Sequence, residues 1–328
     1  MNVRDESRPL VLVTGAMGFV GRVCVPGLEQ AGWHVRCALR ADTPLVPNGA
    51  DRRSVGDIGP STNWCSALAG INAVVHLAAR VHVMRETAPD SLEAFRATNV
   101  AGTARLAREA AAAGVKRFVF LSSVKVNGEA TAGQPFTERD VPRPEDPYGI
   151  SKREAEEALR EIGGRTGLEV VILRPPLVYG PGVKANFLRL IRWVDRGVPL
   201  PLASVQNRRS LIYVGNLVDA VVRCIDHPAA PGETFLVDDG VPVSTPQLLR
   251  ELGEALGRPA RLLPLPPALL RGAARLLGRG DDVARLLGDL VVDSSHIRGR
   301  LGWQPPFSRR DGLAATAHWF RAAQGADR

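Results

Sequence analysis

Apolar positions in the first half of the chain recur as short β-branched runs separated by stretches with helical spacing. LVLVT (10–14), HVRCAL (34–39), AVVHLA (73–78), RFVFLS (117–122) and EVVILR (169–174) have the length and the valine, isoleucine and phenylalanine content of buried strands. A weaker strand is expected through 53–55. Between these runs, 18–31, 91–113 and 147–162 carry apolar residues three and four apart, which predicts amphipathic helices. Such alternation is the sequence habit of a parallel sheet covered by helices on both faces. After Pro175 prolines become frequent, strands shorten, and helical leucine-rich stretches appear at 247–256, 268–277 and 282–290. The reading is a doubly wound α/β domain over 8–175 and a smaller lobe over 176–328. The segment LIYVGNLVDAVVRCID (211–226) reads as strand then helix, so 211–228 is expected to return to the first domain.

Composition narrows the function. The 328 residues carry a net charge of +8, but the bases are 38 arginines and 4 lysines spread along the whole chain with acids between them. Without a basic stripe, aromatic platform or helix-turn-helix, nucleic-acid binding is not expected; a basic surface still attracts anionic small substrates. Cys24, Cys37, Cys65 and Cys224 show no C-x-x-C spacing, and the six histidines form no ligand pair, so neither disulfides nor a metal site are expected. His76 falls inside an apolar strand and reads as a core imidazole. No run approaches the roughly 18 apolar residues of a membrane span, and the start MNVRDESRP is polar, so a cytoplasmic location is expected.

Directly after the first strand comes Thr14-Gly15-Ala16-Met17-Gly18-Phe19-Val20-Gly21, opening a helix. Glycines at 15, 18 and 21 allow a tight turn, close approach to a pyrophosphate, and close seating of the helix, whose N-terminal N–H groups favour phosphate. A dinucleotide site on a Rossmann sheet follows. Tyr148 and Lys152, four apart on a helical segment, share one face. A phenol needs neighbouring positive charge to act as a base at neutral pH, and Lys152 can supply it. The serine pair Ser122-Ser123 ends the fifth strand, on the edge where such sheets build their sites.

These segments together resemble the extended short-chain dehydrogenase/reductases. TGAMGFVG is similar to their T-G-x-x-G-F-x-G opening, and His76-Leu77-Ala78-Ala79 to their H-x-A-A segment. Asn99-Val100-x-Gly102-Thr103 is similar to their N-V-x-G-T helix. The match continues in order through Ser122-Ser123, Tyr148-x-x-x-Lys152, Arg174-Pro175 and Arg209 to Val214, and ends in Leu301-Gly302-Trp303-x-Pro305. The resemblance implies Ser123, Tyr148 and Lys152 as catalytic, Tyr148 exchanging a proton with a sugar oxygen that Ser123 holds. It implies cofactor contacts from Gly15, Gly18, Phe19, Val20, Ala78, Asn99, Tyr148, Lys152 and Pro175. Asn127 stands where the family usually has tyrosine, a change expected near the sugar pocket. Helices 91–113 and 147–162 imply a homodimer, since such helices pair with their copies in this family.

At the end of the second strand, Arg40 occupies the place where an acid would hold the ribose 2′-OH of NAD, so NADP is preferred over NAD. Asp57 resembles the family's adenine-contacting acid. The second half is similar to the nucleotide-sugar branch, which implies a UDP-sugar as substrate, with Asn186 and Arg209 gripping it; a guanidinium forks well onto phosphate. Pro176 departs from the asparagine of many sugar 4-epimerases. The expectation is a reductase of a UDP-linked 4-keto-6-deoxy-N-acetylhexosamine in surface-polysaccharide synthesis. The alternatives are a UDP-glucose or UDP-N-acetylglucosamine 4-epimerase, and a non-catalytic dinucleotide sensor.

Overall fold

The computed structural model describes residues 8–41, 51–81, 91–276 and 280–326. Strands β1 (Leu10–Thr14), β2 (His34–Leu39), β3 (Asp51–Ser54), β4 (Ala73–His76), β5 (Arg117–Leu121) and β6 (Glu169–Arg174) follow the six predicted runs within two residues. β7 (Leu177–Tyr179) and β8 (Leu211–Tyr213) make a separate parallel pair, and β9 (Thr234–Leu236) extends the main sheet. The main sheet has the order β3-β2-β1-β4-β5-β6-β9, and every pairing is parallel, with Val11 opposite Val35 and Ala73. Winding reverses between β1 and β4, so a crevice opens at the carboxyl ends of those two strands.

The helices are α1 (Gly21–Gln30), α2 (Cys65–Leu68), α3 (Ser91–Phe95), α4 (Thr103–Ala112), α5 (Pro147–Thr166) and α6 (Ala185–Asp195). They continue as α7 (Val214–Asp226), α8 (Thr245–Ala255), α9 (Pro267–Leu276), α10 (Gly280–Leu287), α11 (Ser295–Leu301) and α12 (Arg309–Ala326). Leu277, at the end of one predicted helical stretch, lies outside the described residues. Leu106, Ala107, Ala155 and Leu159 of α4 and α5 cover one sheet face against Leu12, Phe118 and Ile172. Cys24, Val25 and Leu28 of α1 pack with Leu217, Val218 and Val221 of α7 on the other, against Val13 and Val171. A third core joins Phe187 and Ile191 of α6, Leu249 and Leu252 of α8, and Leu313 and Phe320 of α12.

The single helix expected over 91–113 is interrupted by a π-helical stretch, Arg96–Gly102, between α3 and α4. One residue more per turn swings Asn99 to the inside, where it is almost fully buried. α5 starts where Asp146 accepts the Gly149 N–H at 2.7 Å with Pro147 in the first turn, and stops at Gly167, whose φ is +77°. Those signals place Tyr148 in the first turn of α5 and Lys152 one turn further along. Among the described residues no three His, Cys, Asp or Glu side chains converge as metal ligands, and no helix is long and apolar enough to cross a membrane.

Candidate active site

The floor of the crevice is the glycine loop. Gly15 has φ +71°, and a Cβ there would lie 2.8 Å from the Ala78 nitrogen; one on Gly21 would run into the Gly15 carbonyl oxygen. The loop therefore packs backbone against backbone between β1 and the segment after β4, which no side chain would permit. Thr14 secures the same junction, its hydroxyl accepting from the Ala78 N–H at 3.2 Å and bonding His76 Nδ1 at 2.7 Å. No side chain caps α1. The loop ahead of it lines a cleft of about 970 Å³, with Gly15 and Gly18 facing Leu39, Arg40, Asp57 and Ala78. Backbone cradle, uncapped helix and cleft together fit the pyrophosphate and adenosine of a dinucleotide. Phe19 and Val20 are half-buried; Phe19 lies against Gly182 and the third core, so the loop also braces the second lobe.

Arg40 and Asp57 meet at the outer rim, with Arg40 Nε 2.6 Å from the Asp57 carboxylate and both side chains more than four-fifths exposed. The sequence offered Arg40 as an unopposed cation for a 2′-phosphate. Its charge is instead answered by the carboxylate expected at the adenine.

At the inner end, Lys152 is 2% exposed, donates from Nζ to the Leu121 carbonyl at 2.7 Å, and sits 4.3 Å from the centre of the Phe120 ring. The same nitrogen is 5.9 Å from the centre of the Tyr148 ring. Burial pulls the ammonium down to about 7, with the Glu156 carboxylate opposing that shift. Tyr148 is half-buried, edge-on to Phe95. Its phenol is pushed up from its ordinary value, by burial first and then by Asp146. In the chain by itself, then, Lys152 does not lower the phenol as the spacing implied, because stripping water from the ring outweighs one ammonium at that distance.

Ser123 follows the end of β5 and starts a short 3₁₀ turn, Val124–Val126, its hydroxyl accepting from the Lys125 N–H at 3.2 Å. Pro175 is buried, and its carbonyl accepts the Val124 N–H at 3.0 Å, which stitches the serine turn to the end of β6. Ser122 points elsewhere, donating to Glu156 at 2.5 Å.

Three further expected positions make hydrogen bonds within the protein. Asn99 spends its amide on protein groups: its oxygen accepts from the Arg80 N–H at 2.8 Å, and its nitrogen donates to the Arg80 carbonyl and Ser151 Oγ, both at 3.0 Å. It shapes the cleft wall through Arg80. Asn127 is 2% exposed, accepting from Arg174 at 3.0 Å and donating to the Thr137 carbonyl at 2.8 Å. It is an internal brace between Arg174 at the end of β6 and the Thr137 carbonyl. Asn186 is exposed at the start of α6, accepting from Arg189 at 2.6 Å.

Arg209 is half-buried and donates from Nη1 to the Arg285 and Gly288 carbonyls at the end of α10, at 2.6 and 3.1 Å; burial lowers its pKa. His76 is the core imidazole the strand pattern implied, 1% exposed and bonded through Nε2 to Thr103 at 2.9 Å. Sequence reasoning passed over Thr14 and Glu156. The first was visible as the residue ahead of the glycine loop, the second as a carboxylate four residues beyond Lys152 on the same helical face.

A glycine-loop cleft lies at the strand ends, Ser123 follows β5, and Tyr148 and Lys152 share the first turns of α5. A UDP-glucose 4-epimerase of Vibrio cholerae is 46% identical over 320 residues, covering 95% of this chain and 96% of its own. Among solved structures, MoeE5 in complex with UDP-glucose and NAD is 29% identical with a TM-score of 0.76, covering 96% of this chain and 99% of that one. The UDP-glucose 4-epimerase of Thermotoga maritima with UDP-glucose is 25% identical, also with a TM-score of 0.76 and the same coverage. The model of the NAD-dependent epimerase/dehydratase family matches residues 11–237, from β1 through β9. With its cleft and its relatives in accord, the chain belongs to that family, whose members are enzymes of the extended short-chain dehydrogenase/reductase type.

Proposed function

We propose that the protein is a UDP-hexose 4-epimerase, inverting C4 of UDP-glucose or UDP-N-acetylglucosamine with NAD retained in the site. The observation that carries this reading is the end-to-end identity of 46% with the UDP-glucose 4-epimerase of Vibrio cholerae. The 4-keto reductase reading stood on Arg40 as a 2′-phosphate partner. With the Asp57 carboxylate 2.6 Å from that guanidinium, a 2′-phosphate would meet a like charge, so NAD suits the rim better than NADP.

In this reading, NAD, once bound by the glycine loop, would supply the hydride acceptor and donor for C4. Tyr148 takes the proton of the C4 hydroxyl and later returns one to the same oxygen. Ser123 donates a hydrogen bond to that oxygen. The ammonium of Lys152 stabilises the phenolate and binds the nicotinamide ribose. Arg209 offers its guanidinium to the diphosphate, whose charge would favour its protonated form against burial. Asn186 would meet the sugar nucleotide once turned from Arg189. The protein would act as a homodimer through α3, α4 and α5, which a monomeric mass at micromolar concentration would contradict.

The purified protein, with no cofactor added, should convert UDP-glucose or UDP-N-acetylglucosamine to its C4 epimer, read by proton NMR. It should release NAD on denaturation. Failure of both conversions, together with stoichiometric NADPH oxidation by a UDP-linked 4-keto-6-deoxy-N-acetylhexosamine, would replace the epimerase with the reductase.

A further inference from the structure

Beneath the catalytic residues lies a buried ionic cluster that the reaction itself does not use. Glu156, wholly buried, accepts from Arg174 Nε and Nη2 at 2.9 and 2.6 Å, from Ser122 Oγ at 2.5 Å, and from Arg160 Nη2 at 2.9 Å. Arg174, itself 2% exposed, reaches Asn127, which is hydrogen-bonded to Thr137. One carboxylate therefore connects α5, the last residue of β6, and the serine that immediately precedes Ser123.

Such a cluster is a poor way to gain stability, since desolvating both ions offsets most of their attraction. Its place on the helix is more informative. Glu156 follows Lys152 by four residues and Tyr148 by eight, so it shares their face of α5, one turn from the lysine and two from the tyrosine. Lys152 has little else to hold its charge. Its Nζ meets a carbonyl and the face of Phe120. The titratable neighbours are His76 on β4, Tyr148 and Glu156 on α5, and Arg174 on β6. His76 is held neutral, burial pushing it down to about 3 with the Lys152 charge adding to the effect. Glu156 supplies the one negative charge in that set.

We propose that Glu156 is a positioning residue that keeps Lys152 charged beneath Tyr148 and, through Ser122, sets the turn that carries Ser123. The proposal rests on the assignment of Lys152 to the catalytic site. Because Glu156 is nearer to Lys152 than to Tyr148, its removal destabilises the ammonium more than it favours the phenolate. A unit charge one helical turn away in a protein interior corresponds to a shift of about one to two pH units. It also makes a fall in kcat of about tenfold or more at neutral pH.

The test is the pH profile of kcat in Glu156→Gln, measured beside wild type and Glu156→Asp. The limb on which activity is lost as pH rises, where Lys152 deprotonates, should move to lower pH by about one unit or more in Glu156→Gln. Glu156→Asp should restore it. Glu156→Gln strands Arg174 without its counter-ion, so Glu156→Gln combined with Arg174→Met serves as a folded alternative, matched in circular dichroism to wild type. There the displacement should keep its direction but shrink, because losing the Arg174 charge offsets part of the loss of the Glu156 charge. An even loss of activity with the limb unmoved in whichever variant folds would reduce Glu156 to a structural brace and overturn the proposal.

The pH dependence of NAD binding, followed by quenching of tryptophan fluorescence, reads the same limb without the sugar reaction. A wild type that binds NAD but epimerises neither sugar defeats the proposed substrate. An unmoved NAD-binding limb defeats the role of Glu156.

Discussion

His76 makes the stability of the protein depend on acid in a way that can be worked out in advance. The imidazole is 1% exposed, bonded to Thr14 at 2.7 Å and Thr103 at 2.9 Å, and stacked on Phe120 at 5.8 Å. Burial and the charge of Lys152 push its pKa down from 6.5 to about 3. The unfolded chain takes up a proton through 6.5, whereas the folded chain does not until about 3. In that window the unfolded state holds more protons, and stability falls as pH is lowered. The contribution is fully present above the unfolded value. At about pH 5 the linkage relation gives a loss of about 2 kcal/mol from this residue, growing by about 1.4 kcal/mol per unit toward pH 3.

The assay is urea denaturation of wild type and His76→Gln at about pH 7.5 and about pH 5. Glutamine keeps polar atoms toward the two threonines without a proton to gain. The variant will be less stable at both pH values, so the quantity of interest is the difference between them, from which other groups cancel. Wild type should lose about 2 kcal/mol more than the variant between the two conditions. Equal losses would mean that His76 accepts its proton in the folded state, and the account of its burial would be wrong.

Gly15→Ala, which combines φ +71° with a Cβ 2.8 Å from the Ala78 nitrogen, should cost about 2–4 kcal/mol in urea denaturation and weaken NAD binding in fluorescence titration. Tyr148→Phe removes the proton carrier and almost no volume; kcat should fall by about 10²–10⁴-fold in the NMR assay while NAD binding stays near wild type. Asp57→Asn frees Arg40 from its carboxylate, so NADP should gain on NAD by up to about tenfold in competitive titration, and an unchanged ratio would place the cofactor's 2′ position away from this pair.

Much of the fold was legible because its signals are local. Five strands of a fully covered parallel sheet must be short continuous apolar runs, and they were found within two residues at each end. The glycine loop could be read because Gly15 and Gly21 answer steric demands that no other residue meets. Tyr148 and Lys152 could be paired because a helix brings residues four apart together whatever surrounds it. What surrounds them could not be read. Periodicity offered one helix over 91–113, and only packing against α5 and the Arg80 segment shows a π-helical stretch that turns Asn99 inward and occupies its amide.

The same limit applies to charge. Arg40 and Asp57 are 17 residues apart, and no spacing rule joins them; the segments after β2 and β3 place them 2.6 Å apart, which gives Arg40 a partner that the sequence did not show. The fall of Lys152 to about 7 and the rise of the Tyr148 phenol come from how much water the folded chain removes from each group. That quantity is a sum over neighbours from α5, β4, β5 and β6. The sequence by itself determined which residues could do chemistry and the strands and helices that carry them; the tertiary structure decided their solvation and their partners, because both depend on contacts between residues far apart in the chain.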